Sequence, residues 1–139
     1  MTQEISYPIN IEDMDWEETP KDWYMRPVKW KVLWKDEVTG AMFVLLKVPQ
    51  GEGALELPHS HPQANQMGFV LSGELELPNG TRRVFGAGHY NFRYSPKSLQ
   101  HGPKRGTTMK ITQDVVILQY FDGPVTKLNE GETEAITLE

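Results

Sequence analysis

Read for the period of its apolar positions, the chain is a series of short strands. Residues 27–35, Pro-Val-Lys-Trp-Lys-Val-Leu-Trp-Lys, alternate for several positions, the period of a half-buried strand. Asp36 to Gly40 supplies a turn, and 41–48 forms a largely apolar strand closed by Pro49 and the loop Gly51-Glu52-Gly53. Further strands are expected at 54–61, 66–72, 74–77, 81–85, 89–95, 107–112 and 114–121, separated by punctuation such as Pro78-Asn79-Gly80 and Gly86-Ala87-Gly88. No helical period stands out within 24–121. Strands at this spacing predict an antiparallel sandwich or barrel. Residues 1–23 read as an irregular acidic arm that packs Trp16 onto the body, 24–124 as the barrel, and 125–139 as an acidic tail, partly ordered at best.

Composition narrows the chemistry. With 139 residues the chain is long enough for one domain with a sizeable core. It contains no cysteine, so disulfides and thiolate metal sites are excluded, and any metal must take nitrogen and oxygen ligands. The net charge is −5 and no basic block exists, the pair Arg82-Arg83 reading as a solvated turn, so nucleic acid is not an expected partner. The first residues lack the basic and apolar regions of a signal peptide, and the longest apolar run, Ala41 to Leu46, is too short to span a bilayer. A cytoplasmic protein without membrane contact is the expectation.

The candidate chemistry sits in Pro58-His59-Ser60-His61-Pro62, which holds two of the four histidines. Residues two apart on a strand project from one face, so His59 and His61 can aim two imidazoles at one point. Pro62 favours extended geometry at His61 and preserves that face. Neutral imidazole suits divalent iron, zinc, nickel or copper.

The surrounding spacing carries a resemblance. Five residues separate Gly53 from His59, one His59 from His61, four His61 from Gln66 and six Gln66 from Gly73. This resembles the first motif of the cupin superfamily, G-x5-H-x-H-x3,4-E-x6-G. The stretch from Gly88 through Pro96-Lys97-Ser98-Leu99-Gln100-His101 resembles the second, in which P-x-G-x-x-H supplies another ligand. The resemblance implies a double-stranded β-helix, the cupin jelly-roll barrel, with a single divalent metal on His59, His61 and His101. It also implies a homodimer built through N-terminal strands, with the tryptophans of the first quarter (Trp16, Trp23, Trp30 and Trp34) in interface and core.

The departures from the pattern have different weights. Gly88 lies two residues too far from Pro96, and His89 stands for the acid that often follows the glycine; Ser98 stands for a glycine and Arg105 for an asparagine, and these two mainly alter turns. Gln66 replaces the usual ligating glutamate and alters chemistry. Three imidazoles and an amide leave the +2 of the ion uncompensated, which favours an anionic, chelating substrate such as an enolate, carboxylate or phenolate. Gln66 is then a weak ligand or a group that orients water or substrate.

Strand 89–95 places Asn91, Arg93 and Ser95 on one face and Tyr90, Phe92 and Tyr94 on the other. If the polar face lines the cavity, Arg93 meets the substrate; if the aromatic face does, Tyr94 does. Gln119 and Phe121 are candidates for the rim, Phe121 more as core. His89 reads as a histidine outside the ligand set.

Among three-histidine cupins, the small acetylacetone-cleaving dioxygenases are similar in size and ligand spacing and imply Fe(II), O2 and a dicarbonyl or phenolic substrate. Gly102-Pro103 and Tyr120-Phe121-Asp122-Gly123-Pro124 also look like the zinc cupin domains of anti-sigma factors. Three functions follow: a non-haem iron dioxygenase, a lyase, isomerase or hydrolase using zinc, manganese or nickel as Lewis acid, and a sensing module without catalysis.

Overall fold

The computed structural model describes residues 8–86, 88–104 and 109–137. Arg105, and the first two residues of the strand expected at 107–112, lie outside the described residues. Strands form at Glu17–Glu18 (β1), Lys29–Lys35 (β2), Met42–Val48 (β3), Gly51–Glu52 (β4), His59–Ser60 (β5), Gln66–Glu76 (β6), Arg82–Phe85 (β7), Asn91–Ser95 (β8), Lys110–Phe121 (β9), Thr126–Asn129 (β10) and Ile136–Thr137 (β11). A single 3-10 turn, Ile11–Asp13, is the helical element among the described residues. None of them forms a helix long and apolar enough to cross a membrane.

All strand pairings among the described residues are antiparallel. The larger sheet runs β1-β2-β3-β9-β6-β7, with β4 added on β9 and β8 on β6; a smaller sheet runs β11-β10-β5. Alternation in β3 is complete: Met42, Val44, Leu46 and Val48 are buried, and Phe43, Leu45 and Lys47 only partly. Val44 and Val70 are fully buried and join Val28, Trp30, Leu75, Phe85, Ile111 and Val115 in one core. Each such valine contributes roughly 1.5–3 kcal/mol through removal of its side chain from water.

The expected break between strands 66–72 and 74–77 is instead a bulge within the continuous strand β6, where its register with β9 shifts around Gly73. Gly73 has φ 124°, and a Cβ there would lie 2.7 Å from the Asp114 carbonyl oxygen and from Val115 Cα. Only glycine fits both the torsion and the approach. Gly73→Ala is expected to destabilise the fold by about 2 kcal/mol or more, read as a lowered denaturant midpoint.

The strands expected at 107–112 and 114–121 are likewise joined in one strand, β9, and two further segments differ from expectation. Of 54–61 only His59–Ser60 is a strand, because its partners are short: β10 on one side, through Asn129↔His59 and Leu128↔Ser60, and a two-bond bridge to His101 on the other. The presumed tail opens with buried Val125, Thr126 and Lys127 and pairs with β5, so the chain stays in the body past 125. Its polar composition concealed this: Lys127 is buried against Glu56 and the Trp23 carbonyl, and Thr126 is buried with its carbonyl on His61 Nδ1 and its hydroxyl unpartnered. At the other end, Trp16 packs between the Lys31 and Lys47 ammonium groups, at 4.6 and 4.5 Å from its ring centroid, and Trp23 is in the core although it closes the arm. Trp34 remains half exposed.

Candidate metal centre

The two sheets enclose a cavity of about 430 Å³. One wall is the inner face of the larger sheet: Gln66, Gly68 and Val70 from β6, Arg93 and Ser95 from β8, and Ile117, Gln119 and Phe121 from β9. The other carries His59, His61 and His101 with Glu56, and Trp23 and Tyr24 complete it. A second hollow of about 480 Å³, bordered by Glu52, Glu76 and Lys110, is remote from this cluster in composition and includes no histidine.

The three histidines meet as the spacing predicts, with one potential ligand atom from each lying within 4.8 Å of the others. The bridge between His59 and His101 is made by His59 N–H to the His101 carbonyl at 2.9 Å and the reverse bond at 2.7 Å. It fixes the second motif against the first, and ring centroids of these two residues stand 4.4 Å apart. His61 is sandwiched by Trp23, stacked at 5.8 Å and 8°, and by the edge of Phe121 at 5.3 Å.

Hydrogen bonds assign the tautomers. His59 Nδ1 lies 2.7 Å from the Leu57 carbonyl and His61 Nδ1 2.6 Å from the Thr126 carbonyl. A carbonyl only accepts, so both Nδ1 atoms carry the proton and both Nε2 atoms offer lone pairs, the arrangement found in histidines that bind metals. Both ring nitrogens of His101 are buried without a hydrogen-bond partner. Burying such groups unpaired is costly, and a cation among them removes the cost. Burial also holds all three rings neutral, with pKa values pushed down to about 4 for His59, about 3 for His61 and about 4 for His101. Ions bound by imidazole sit about 2.0–2.1 Å from nitrogen, and the donor set fits one divalent ion of that kind.

Of the other residues picked from sequence, Gln66 and Arg93 line the cavity, as do Gln119 and Phe121. The open parity of β8 is settled by its pairing with β6: Arg93 opposes Gly68 and Ser95 opposes Gln66, both on the cavity face. Tyr94 is thereby corrected. It lies on the outer face with Phe92, each 55% exposed, because adjacent strand residues point to opposite sides. Tyr94→Ala is expected to leave metal affinity unchanged, as titration of the variant with a divalent ion would show. His89 is exposed and outside the cluster.

Sequence reasoning missed Glu56, Lys127 and Tyr24. Glu56 Oε2 is 3.6 Å from His59 Nε2 and 3.3 Å from Lys127 Nζ. Burial raises the Glu56 carboxyl and lowers the Lys127 amine from their ordinary pKa values, each partly offset by attraction to the other. Burial likewise keeps the Tyr24 phenol protonated. A lone acid inside Ala54-Leu55-Glu56-Leu57 was a visible signal; Lys127 and Tyr24 had none.

A sequence profile of the ChrR cupin-like domain matches residues 6–120. The chain belongs to the ChrR cupin-like family. Solved cupin structures agree with this family's fold across nearly the whole chain. An acetylacetone dioxygenase from Acinetobacter johnsonii superposes with a TM-score of 0.63 at 16% identity, covering 99% of this chain and 89% of that one. An RmlC-like cupin from Ralstonia eutropha JMP134 gives 0.64 at 20%, covering 97% and 79%. The polyketide cyclase RemF from Streptomyces resistomycificus gives 0.52 at 18%, covering 94% and 89%. At these identities the likeness is one of fold. No curated protein matches the sequence. The ChrR cupin-like chain is thus an all-β cupin with a three-histidine cluster facing its cavity.

Proposed function

We propose that this cupin is a mononuclear non-haem iron dioxygenase acting on a small enolisable, dicarbonyl or phenolic anion. The observation that carries the reading is the convergence of three neutral imidazoles on the wall of a cavity that also presents Arg93. Ferrous iron bound there supplies the one-electron and dioxygen chemistry that side chains lack. The chain's own groups do the rest. Arg93 offers a forked, permanently charged donor to an anionic substrate. Gln66 and Gln119 present amides that orient its oxygens, while Val70, Ile117 and Phe121 exclude water from the reacting end. A 430 Å³ cavity suits a molecule of a few carbon atoms or one aromatic ring. The fold likeness to an acetylacetone dioxygenase supports the reaction class.

The test is oxygen uptake after anaerobic ferrous loading, with β-diketones and catechols as substrates. Iron-dependent uptake coupled to loss of substrate is expected. Stoichiometric metal with no uptake across both classes would overturn the dioxygenase reading and favour Lewis-acid chemistry. Arg93→Leu is expected to raise KM on the order of 10- to 100-fold with a smaller change in kcat, since a charge-assisted hydrogen bond contributes about 1.5–3 kcal/mol.

A further inference from the structure

We infer that Gly68 opens a carboxylate subsite between Arg93 and Gln119, so that the substrate is doubly anionic: an enolate or phenolate with a carboxylate at its far end. The subsite rests on the proposed function, in which an ion on the three histidines holds the enolate or phenolate.

Sheet register puts the three residues in one row. Gly68 of β6 pairs with Arg93 of β8 on one side and with Gln119 of β9 on the other, and all three line the cavity. Neighbouring strands lie about 4.8 Å apart, so Arg93 and Gln119 start about 10 Å from each other with no side chain between them. The result is a notch, floored by the Gly68 backbone and walled by a guanidinium and an amide. The torsions there do not demand glycine, since Gly68 lies outside the left-handed region. An added Cβ would meet Gln119 Cγ at 3.2 Å and the Leu118 carbonyl oxygen at 3.3 Å, tight contacts that small shifts relieve. Glycine inside a strand costs roughly 0.5–1 kcal/mol relative to alanine, and it often marks the close approach of a ligand.

The walls select the occupant. Among the described residues no protein group pairs with the Arg93 guanidinium or with the Gln119 amide. Glu56, the acid lining the same cavity, is already held by Lys127 at 3.3 Å, which leaves the Arg93 charge uncompensated. Arg93 stands on an exposed strand that pairs with β6, so water screens this charge until a ligand closes over it. Its fork matches the two oxygens of a carboxylate, and the Gln119 amide N–H can add a third bond. A ketone oxygen would use a single donor and neutralise nothing.

Position sets the length of the molecule. The next row holds Ser95, Gln66 and Phe121, and Phe121 lays its ring on His61 at 5.3 Å between centroids. Two residues advance about 7 Å along a strand, so the notch lies roughly that far from the histidine end. A short carbon chain or one aromatic ring bridges such a span. On the other side Val70 pairs with Ile117, and their apolar side chains offer a charged group nothing.

Calorimetric titration of the Zn(II)-loaded protein with succinylacetone and with heptane-2,4-dione tests this. The two diketones differ by a carboxylate in place of a terminal methyl. Wild type is expected to bind succinylacetone about 10- to 100-fold more tightly, the range of a charge-assisted hydrogen bond. Arg93→Met should lose most of that preference. Gly68→Ala should also reduce it severalfold, and because this change keeps every charge, its effect reports the notch and not the general field of the cavity. Arg93→Met, at an exposed position, keeps the test decisive if Gly68→Ala does not fold. Equal wild-type affinity for the two diketones would overturn the subsite and leave the metal-held enolate standing. A preference that survives both substitutions would overturn it too, by placing the carboxylate elsewhere. Binding of neither diketone would overturn the subsite together with the metal-held enolate on which it rests.

Discussion

His101→Ala is expected to abolish stoichiometric metal binding while leaving the barrel folded. The residue contributes its fold-supporting bonds through the backbone, by the paired N–H and carbonyl contacts to His59, and alanine keeps both. What the substitution deletes is an imidazole whose two nitrogens are buried with no well-formed hydrogen bond, so the apo variant loses at most a weak contact with the Leu99 backbone. Metal affinity should fall by more than about 100-fold, beyond the effect of removing an outer partner. The readout is a difference of differences. A ligand at 1,000 times its Kd stabilises the wild type by about 4 kcal/mol, an upward shift in melting temperature that His101→Ala should lack. Equal metal-induced shifts in the two proteins would contradict the site.

The second large effect is the acid sensitivity of the metal-free protein. His59, His61 and His101 are held at about 4, 3 and 4, against an ordinary 6.5 in the unfolded chain. Between those limits the unfolded state binds more protons than the folded state, so stability rises with pH in this window and falls as pH drops. The contribution is fully present above about pH 6.5 and is lost progressively as pH falls toward 4 and 3. Near pH 5 three extra protons give a slope of about 4 kcal/mol per pH unit as an upper bound. Denaturant midpoints of chelator-treated protein from pH 8 to 4.5 should show little change at first and then a steep decline. In the triple variant H59A/H61A/H101A the decline should flatten, since the groups that drive it are gone.

Much of the fold was written in apolar alternation. The period of two in 27–35 and 41–48 corresponds to β2 and β3, and His59 and His61 converge with His101 as the two motifs implied. His101 was legible only because a second motif accompanied the first; nothing in its immediate neighbours marks it as a partner of a residue 42 positions earlier, the offset between His59 and His101. The parity of β8 was not legible, since Asn91-Arg93-Ser95 and Tyr90-Phe92-Tyr94 alternate equally well whichever side faces inward. Pairing with Gly68 decides it, and pairing is a tertiary fact. The C-terminal strand escaped because its buried members are a threonine and a lysine. Thr126 supplies the carbonyl that orients His61, and Lys127 the ammonium that holds Glu56; both act through partners distant in sequence. Composition reports which residues avoid water on average. It does not report which polar ones have been given a partner that makes burial tolerable.

The claim on which every other step depends is that His59, His61 and His101 bind a single divalent ion. Elemental analysis of protein purified without added metal and without a histidine-rich tag, followed by equilibrium titration of the chelator-treated sample with Fe(II) under anaerobic conditions, tests it most directly. The account predicts saturable binding of one ion per chain that His59→Ala abolishes. A wild-type protein that takes up no Fe(II), Zn(II), Mn(II) or Ni(II) at saturating concentration would contradict it.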